Sequence, residues 1–411
     1  MRATQKNKLK IFNDPVYGFI SIPQEIIVNL IDHPYFQRLR RIRQLGMSHL
    51  VYPGALHTRF HHAMGAMHLM TEAIKVLRSK GHTITEEEAI GAEIAILLHD
   101  IGHGPFSHAL EHTLVDGVHH EELSSLFMDE LNKDFKGKLT TAIKIFNNTY
   151  KKKFLHQLVS SQLDMDRLDY LKRDSFFTGV SEGVVSSDRI LIMLDIKNDE
   201  LVIEQKGIYS IEKFIVARRL MYWQVYLHKT VVAAENLLIN ILKRAKELAA
   251  RGEELFSTPA LHYFMYNKVG LKDFKKSNAV LKQFALLDDN DIVSAIKVWC
   301  NHGDKVLATL CDAFVNRKLY KIELSAKPFA AAKIGALENE IQRKLKIDKA
   351  DVKYFVVKSE ITNNAYNPKH DHINILYKDG KTLDITKASD NLNIEALARP
   401  VKKYTLAYFR V

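Results

Sequence analysis

Apolar residues recur at three- and four-residue spacing along PYFQRLRRIRQL, AMGAMHLMTEAIKVL, EEEAIGAEIAILL and FLHQLVSSQL. That is the period of helices that bury one face. No proline interrupts the chain from Phe106 to Thr258, which suits long helices in that span. Thr85 followed three residues later by Glu88 has the form of a capping box, starting the helix that delivers His99. This texture predicts a mostly helical body from residue 24 to about residue 320. Beyond it, LYKIELS, VKYFVVKSEI, HINILYKDGKTLDI and KYTLAYFRV are rich in β-branched and aromatic residues, as strands are. Asp379-Gly380 supplies a hairpin turn, and AAAKIGALENEIQRKL is expected as a helix between the first two strands. The expected fold class is therefore mainly α: a helical core over residues 1–319, then a small C-terminal α+β domain over 320–411.

Composition narrows the setting. The 411 residues carry 46% hydrophobic and 26% charged side chains, as globular chains do. No apolar run approaches the roughly 18–20 residues that cross a bilayer. The opening MRATQKNKLKIF has no apolar signal core, so a cytoplasmic protein with no membrane partner is expected. Two cysteines, Cys300 and Cys311, fit a reducing compartment and exclude a Cys-rich zinc module. Any metal must then be held by histidine and carboxylate. The net charge of +11, partly in KNKLK, RLRRIR and KKK, fits an anionic partner, nucleic acid or nucleoside triphosphate, without choosing between them. No Walker-A sequence is present, so P-loop chemistry has no support.

Histidine carries the sharpest signal. Twelve of the 19 histidines fall between His49 and His120. In LLHDIGHGPFSHAL, His99-Asp100 closes an apolar helix, with His103 and His108 following. A His-Asp pair alone says little, since His370-Asp371 repeats it in a loop. Here the apolar helix carries the pair inward, where unpaired polar groups are costly. Upstream, TRFHHAMGAMHL opens a long helix with adjacent His61 and His62. Downstream, SSQLDMDRLDYLKRD places Asp164, Asp166 and Asp169 in a short stretch expected to end a helix. Two histidines and two carboxylates from three helices would form a nitrogen–oxygen site for a divalent metal: Mn, Fe, Zn or Mg.

The motifs NDPVYGFI, FQRLRRIRQLG, VYPGALHTRFHHAMG, LLHDIGHGPFSHALE, HHEE and DMDRLDYLKRD, spread over residues 8–235, resemble the HD-domain deoxynucleoside triphosphate triphosphohydrolases. The resemblance implies an HD-domain helical phosphohydrolase core and hydrolysis of dNTPs, dGTP among them, to deoxynucleoside and triphosphate. It nominates His62, His99, Asp100 and Asp166 as metal ligands. It pairs His120 with Glu111 for acid–base work, and sets His103 and His108 on the phosphates. Arg59, Arg167, Tyr170 and Arg218 would contact phosphate, Gln44 and Asp174 the 3′-hydroxyl, and Leu45 and Tyr226 would crowd the 2′ position. Lys10, Asp32, Gln37 and Arg40 match positions that bind an activating nucleotide at a subunit interface in a relative, implying a homo-oligomer, dimer or tetramer. Three departures stand out. His61 replaces a glutamate in the family's Arg-Phe-Glu-His, Arg167 replaces a lysine, and Tyr222 stands where a relative has histidine. The rival reading is an HD-type metal-dependent phosphodiesterase or nuclease acting on cyclic nucleotides or single strands, since the same metal site could serve it. A nucleic-acid-binding protein on an inactive HD scaffold is disfavoured by the full ligand set.

Overall fold

The computed structural model describes residues 10–106, 113–115, 117–368, 371–391, 394, 397 and 399–410. The fold is mainly α, with a few small sheets. An antiparallel hairpin of β1 (Lys10–Asp14) and β2 (Gly18–Ile22) precedes the helices. The core is built on α1 (Arg59–Ser79), which packs on both α2 (Glu86–Leu98) and α4 (Met165–Thr178); α3 (His120–Asp134) lies between the last two in sequence.

Local chemistry explains these elements. Thr85 accepts the Glu88 N–H while the Glu88 carboxylate accepts the Thr85 N–H, the capping box expected at the start of α2. The last five residues of α2, Ile94 to Leu98, are all buried, so this helix runs through the interior rather than over it. Full burial of each large aliphatic side chain there contributes about 1.5–3 kcal/mol. The stretch holding Asp164, Asp166 and Asp169 opens a helix, contrary to the expectation that it ends one. Asp164 is the N-cap of α4, accepting N–H bonds from Arg167 at 2.7 Å and Ser161 at 2.8 Å. Gly179, at φ 74°, closes α4 in the left-handed conformation.

Past α4, the hairpin β3 (Leu194–Lys197) and β4 (Glu200–Glu204) leads into α5 (Ile208–Met221) and α6 (Lys229–Ala250). The remaining α-helical layer includes α7 (Asp289–Trp299). Downstream come β5 (Lys321–Ser325), α8 (Ala331–Leu345), β6 (Val356–Asn363), β7 (Asn374–Leu376), β8 (Thr382–Asp384) and β9 (Val401–Tyr408). β9 pairs antiparallel with both β5 and β6. β7 pairs instead with β4, in parallel, to give the order β3-β4-β7-β8. The carboxy-terminal segment is thus stitched to the helical core. Polar contacts reinforce the join: Asn240 donates to the Tyr354 carbonyl at 3.0 Å, and Arg244 pairs with Asp351 at 3.0 Å. Among the described residues no helix is long and apolar enough to cross a membrane.

We therefore propose that residues 1–319 and 320–411 unfold together. A chain ended after residue 319 should aggregate or melt well below the full-length protein in calorimetry. A truncated chain with an unchanged thermal midpoint would contradict this.

Candidate metal centre

The turn after α2 delivers the first donors. Ser124 on α3 clamps it, donating to the His99 carbonyl at 2.7 Å and accepting the Gly102 N–H at 2.9 Å. A Cβ on Gly102 would lie 2.2 Å from the His120 carbonyl oxygen, so only glycine lets the turn rest on the start of α3. One consequence is that His103 stacks on His120, with ring centroids 3.8 Å apart.

At the start of α1 the two adjacent histidines divide their work. The His61 ring accepts the Thr58 N–H at 3.1 Å, doing for the helix start what a capping-box glutamate does. His62 is fully buried and faces the other way. Its Nδ1 lies 2.7 Å from Asp169 Oδ2, Asp169 is gripped by Arg173 at 2.9 Å, and Arg173 pairs with Asp14 of β1 at 2.8 Å. Gly65, one turn along α1, leaves room for this chain of contacts: a Cβ there would sit 2.0 Å from Asp169 Oδ1 and 2.1 Å from Arg173 Nη2. His99 Nδ1 lies 2.6 Å from the Ile96 carbonyl. An acceptor facing each Nδ1 fixes the proton there and turns each Nε2 lone pair toward the site.

Neither Nε2 has a well-directed hydrogen-bond partner, although both are buried. Asp166, in the first turn of α4, brings Oδ1 to 3.1 Å from His62 Nε2 and 3.6 Å from His99 Nε2. Donor atoms of His62, His99 and Asp166 all lie within 4.8 Å of one another. Asp100 borders them, 3.4 Å from His99 Nε2 and 3.8 Å from His62 Nε2, and is held by Arg59 at 2.5 Å and His103 at 3.2 Å. Asp100, His103 and His120 form a second such cluster alongside. Two orphaned imidazole nitrogens beside two carboxylates fit a divalent cation of the Mn, Fe, Zn or Mg type. Burial would depress the His62 pKa, but Asp166 and Asp169 outweigh it and hold the ring up at about 10. Burial would raise Asp166, yet His62 and His99 keep it well below the usual carboxylate range. His103 is driven far down by burial and by Arg59, so it is neutral.

A cavity of about 550 Å³ opens beside these donors, within the roughly 300–1,000 Å³ of small-molecule sites. Arg59, Asp100, His103, His120, Asp166, Arg167 and Tyr170 line its metal end, and Gln44, Leu45, Asp174 and Tyr226 line it further along. Tyr222 joins them from a π-helical turn after α5, stacked edge-on to Tyr226. Arg218 is not among the lining residues: it bonds Gln162 at 3.2 Å, and its guanidinium lies 5.9 Å from the Tyr222 ring centroid. His108 and Glu111 lie outside the described residues, as does His370. Asp371 accepts the Gln162 N–H at 3.0 Å, a structural tie. At the surface Lys10 pairs with Asp32 at 2.7 Å, Arg40 donates to Gln37 at 2.9 Å, and Gln37 donates to the Ile31 carbonyl at 2.7 Å, so these four form one patch. Sequence reasoning missed the support from Arg173 and Asp14, and it missed His57. The four-residue step from Asp169 to Arg173 was the available signal for the first.

Comparison with known proteins agrees with this geometry. Residues 59–174 match the model of the HD domain and residues 185–258 that of the HD associated region. An uncharacterised protein, YwfO, of Bacillus subtilis is 32% identical over 92% of this chain and 88% of its own length. The deoxynucleoside triphosphate triphosphohydrolase SAMHD1 homolog of Dictyostelium discoideum is 30% identical over 61% of this chain, which spans 52% of that relative. The crystal structure of a phosphohydrolase from Bacteroides thetaiotaomicron is 56% identical, covering 98% of this chain and 100% of its own, with a TM-score of 0.95.

The support behind His62 gives a direct prediction. Asp169→Asn should weaken divalent-metal affinity by about 10–100-fold in a metal titration, while the helical circular-dichroism signal is kept. Unchanged affinity would show that Asp169 has no part in orienting the ring.

Proposed function

We propose that this chain, which belongs to the HD-domain phosphohydrolase family, hydrolyses dNTPs to deoxynucleoside and triphosphate. One observation carries the reading: Asp100 and Asp166, which flank the orphaned Nε2 atoms of His62 and His99, line one cavity together with Arg59 and Arg167 and, about two turns along α4 from Asp166, Asp174 with Tyr226. The relatives named as deoxynucleoside triphosphate triphosphohydrolases support the substrate class.

His62, His99, Asp100 and Asp166 would hold the divalent ion. When bound, such an ion polarises a phosphate oxygen and makes a nearby water a better nucleophile. Attack of water at the α-phosphorus breaks the bond to the 5′-oxygen, which leaves with a proton as the deoxynucleoside hydroxyl. Histidine is the natural proton carrier at that oxygen, and we assign the role to His120, stacked on neutral His103. Glu111 and His108 complete that assignment in sequence. Arg59 and Arg167 present guanidinium forks that suit phosphate oxygens, with Tyr170 beside them in the cavity and Arg218 against Tyr222. Tyr226 donates to Asp174 Oδ2 at 2.8 Å, leaving this carboxylate to accept a sugar hydroxyl alongside Gln44, while Leu45 and the Tyr226 ring fill the 2′ side. The patch of Lys10, Asp32, Gln37 and Arg40 supports an activating nucleotide bound between copies of the chain in a homo-oligomer.

Incubation of the metal-loaded protein with each dNTP, with and without a second nucleotide, should yield tripolyphosphate and deoxynucleoside by chromatography. Nucleoside monophosphates released from single-stranded DNA, with no dNTP turnover, would overturn the reading. Asp166→Ala should abolish turnover in a folded protein, and His120→Gln should lower kcat by about 10²–10⁴-fold. Full activity in either would refute its assignment.

A further inference from the structure

His57 takes no part in the scheme above, yet it sits at the junction of the two residues assigned to the sugar. Its side chain is wholly buried, in the loop before α1. The ring lies flat on Phe177, with centroids 4.4 Å apart and planes 15° from parallel. His57 Nε2 is 2.7 Å from Asp174 Oδ1. An ionised carboxylate can only accept, so the proton of that bond is on the imidazole. The opposite nitrogen, Nδ1, is buried without a hydrogen-bond partner, so Phe177 sets the plane of the ring and Asp174 the direction of its N–H. The backbone of the same residue faces the other way: the His57 carbonyl accepts the Gln44 N–H at 3.0 Å. The neighbouring Thr58 bridges to Arg43, which keeps the two segments in register.

A core histidine satisfied by any nearby acceptor would not need this arrangement. Asp174 already receives the Tyr226 hydroxyl on Oδ2, and the His57 N–H occupies Oδ1 from within the protein. With one donor fixed on each oxygen, the carboxylate cannot rotate, and its remaining lone pairs keep one direction toward the cavity. We propose that His57 is the positioning residue of the sugar pocket, locking Asp174 through its ring and Gln44 through its carbonyl so that nucleotides are selected by their 3′-hydroxyl. This rests on the dNTP reading given above. His57 touches no substrate; it acts through the two residues that do.

The test compares a dNTP with its 2′,3′-dideoxy counterpart in the metal-loaded protein, since a site built around a hydroxyl rejects the analogue that lacks it. His57→Phe keeps a ring against Phe177 and removes the N–H. His57→Gln returns an N–H at the reach of Nε2, and His57→Asn offers one that falls short. In His57→Phe the ratio of kcat/KM for the dNTP over the dideoxy analogue should fall at least about tenfold, through KM for the dNTP, with metal content unchanged. Glutamine should restore most of the ratio and asparagine should not, a comparison that stands even if the phenylalanine variant fails to fold. An unchanged ratio, or equal losses on both nucleotides, would overturn the proposal while leaving the dNTP reading intact. A wild-type protein that turns over no dNTP would remove both.

Discussion

Two imidazole rings buried with their Nδ1 sides already committed are the constraint from which the rest of this site follows. His62 is set by Asp169 and His99 by the Ile96 carbonyl, so both rings present Nε2 to the same small space. A buried polar nitrogen left unpaired costs about 1–3 kcal/mol. Asp166 Oδ1 lies 3.1 Å from His62 Nε2 and Asp100 Oδ1 3.4 Å from His99 Nε2, so two carboxylates stand beside these nitrogens. The surrounding structure is arranged to keep the rings there. Glycine at 65 lets the Asp169–Arg173 pair reach His62, and glycine at 102 lets the His99 turn settle on α3. Arg173 extends the support to Asp14, so the first hairpin is tied to the centre as well.

Helix α4 links this centre to the cavity. Asp166, Tyr170 and Asp174 fall on one face at four-residue steps, and α4 rises about 1.5 Å per residue, so one rigid element spaces the candidate metal donors from Asp174 and its partner Tyr226. The Asp164 cap fixes where that helix begins and hence where Asp166 stands. A substrate bound along α4 would meet groups whose separation is set by backbone geometry rather than by loops, which suits a site that must hold its reacting atoms in place.

Much of this was legible in the sequence, for identifiable reasons. Helical periodicity located α1 and α2, and the Thr85–Glu88 box marked the start of α2 because a capping box is a local interaction. The metal donors came from motifs that stay close to one another in sequence within each helix. Most of what escaped is non-local. The exception is Asp164, whose residue type favours a helix start and whose bond from the Arg167 N–H is local, so the start of α4 was open to sequence reasoning. The pairing of β7 with β4 joins residues far apart in the chain, and short strands carry no sequence mark of their partner. His57 was passed over because a lone histidine in a loop gives no hint of Asp174, 117 positions away. Arg218 matched a motif and is not among the lining residues, its guanidinium bonding Gln162 instead, since matching fixes residue type and not the direction of a side chain.

The central claim is that four donors from distant parts of the chain share one divalent ion. Anomalous diffraction from crystals grown with manganese tests it most directly. The account predicts one strong peak bonded to His62 Nε2, His99 Nε2, Asp100 and Asp166. A structure at full manganese occupancy elsewhere, with these four side chains left in their charge-paired arrangement, would contradict it.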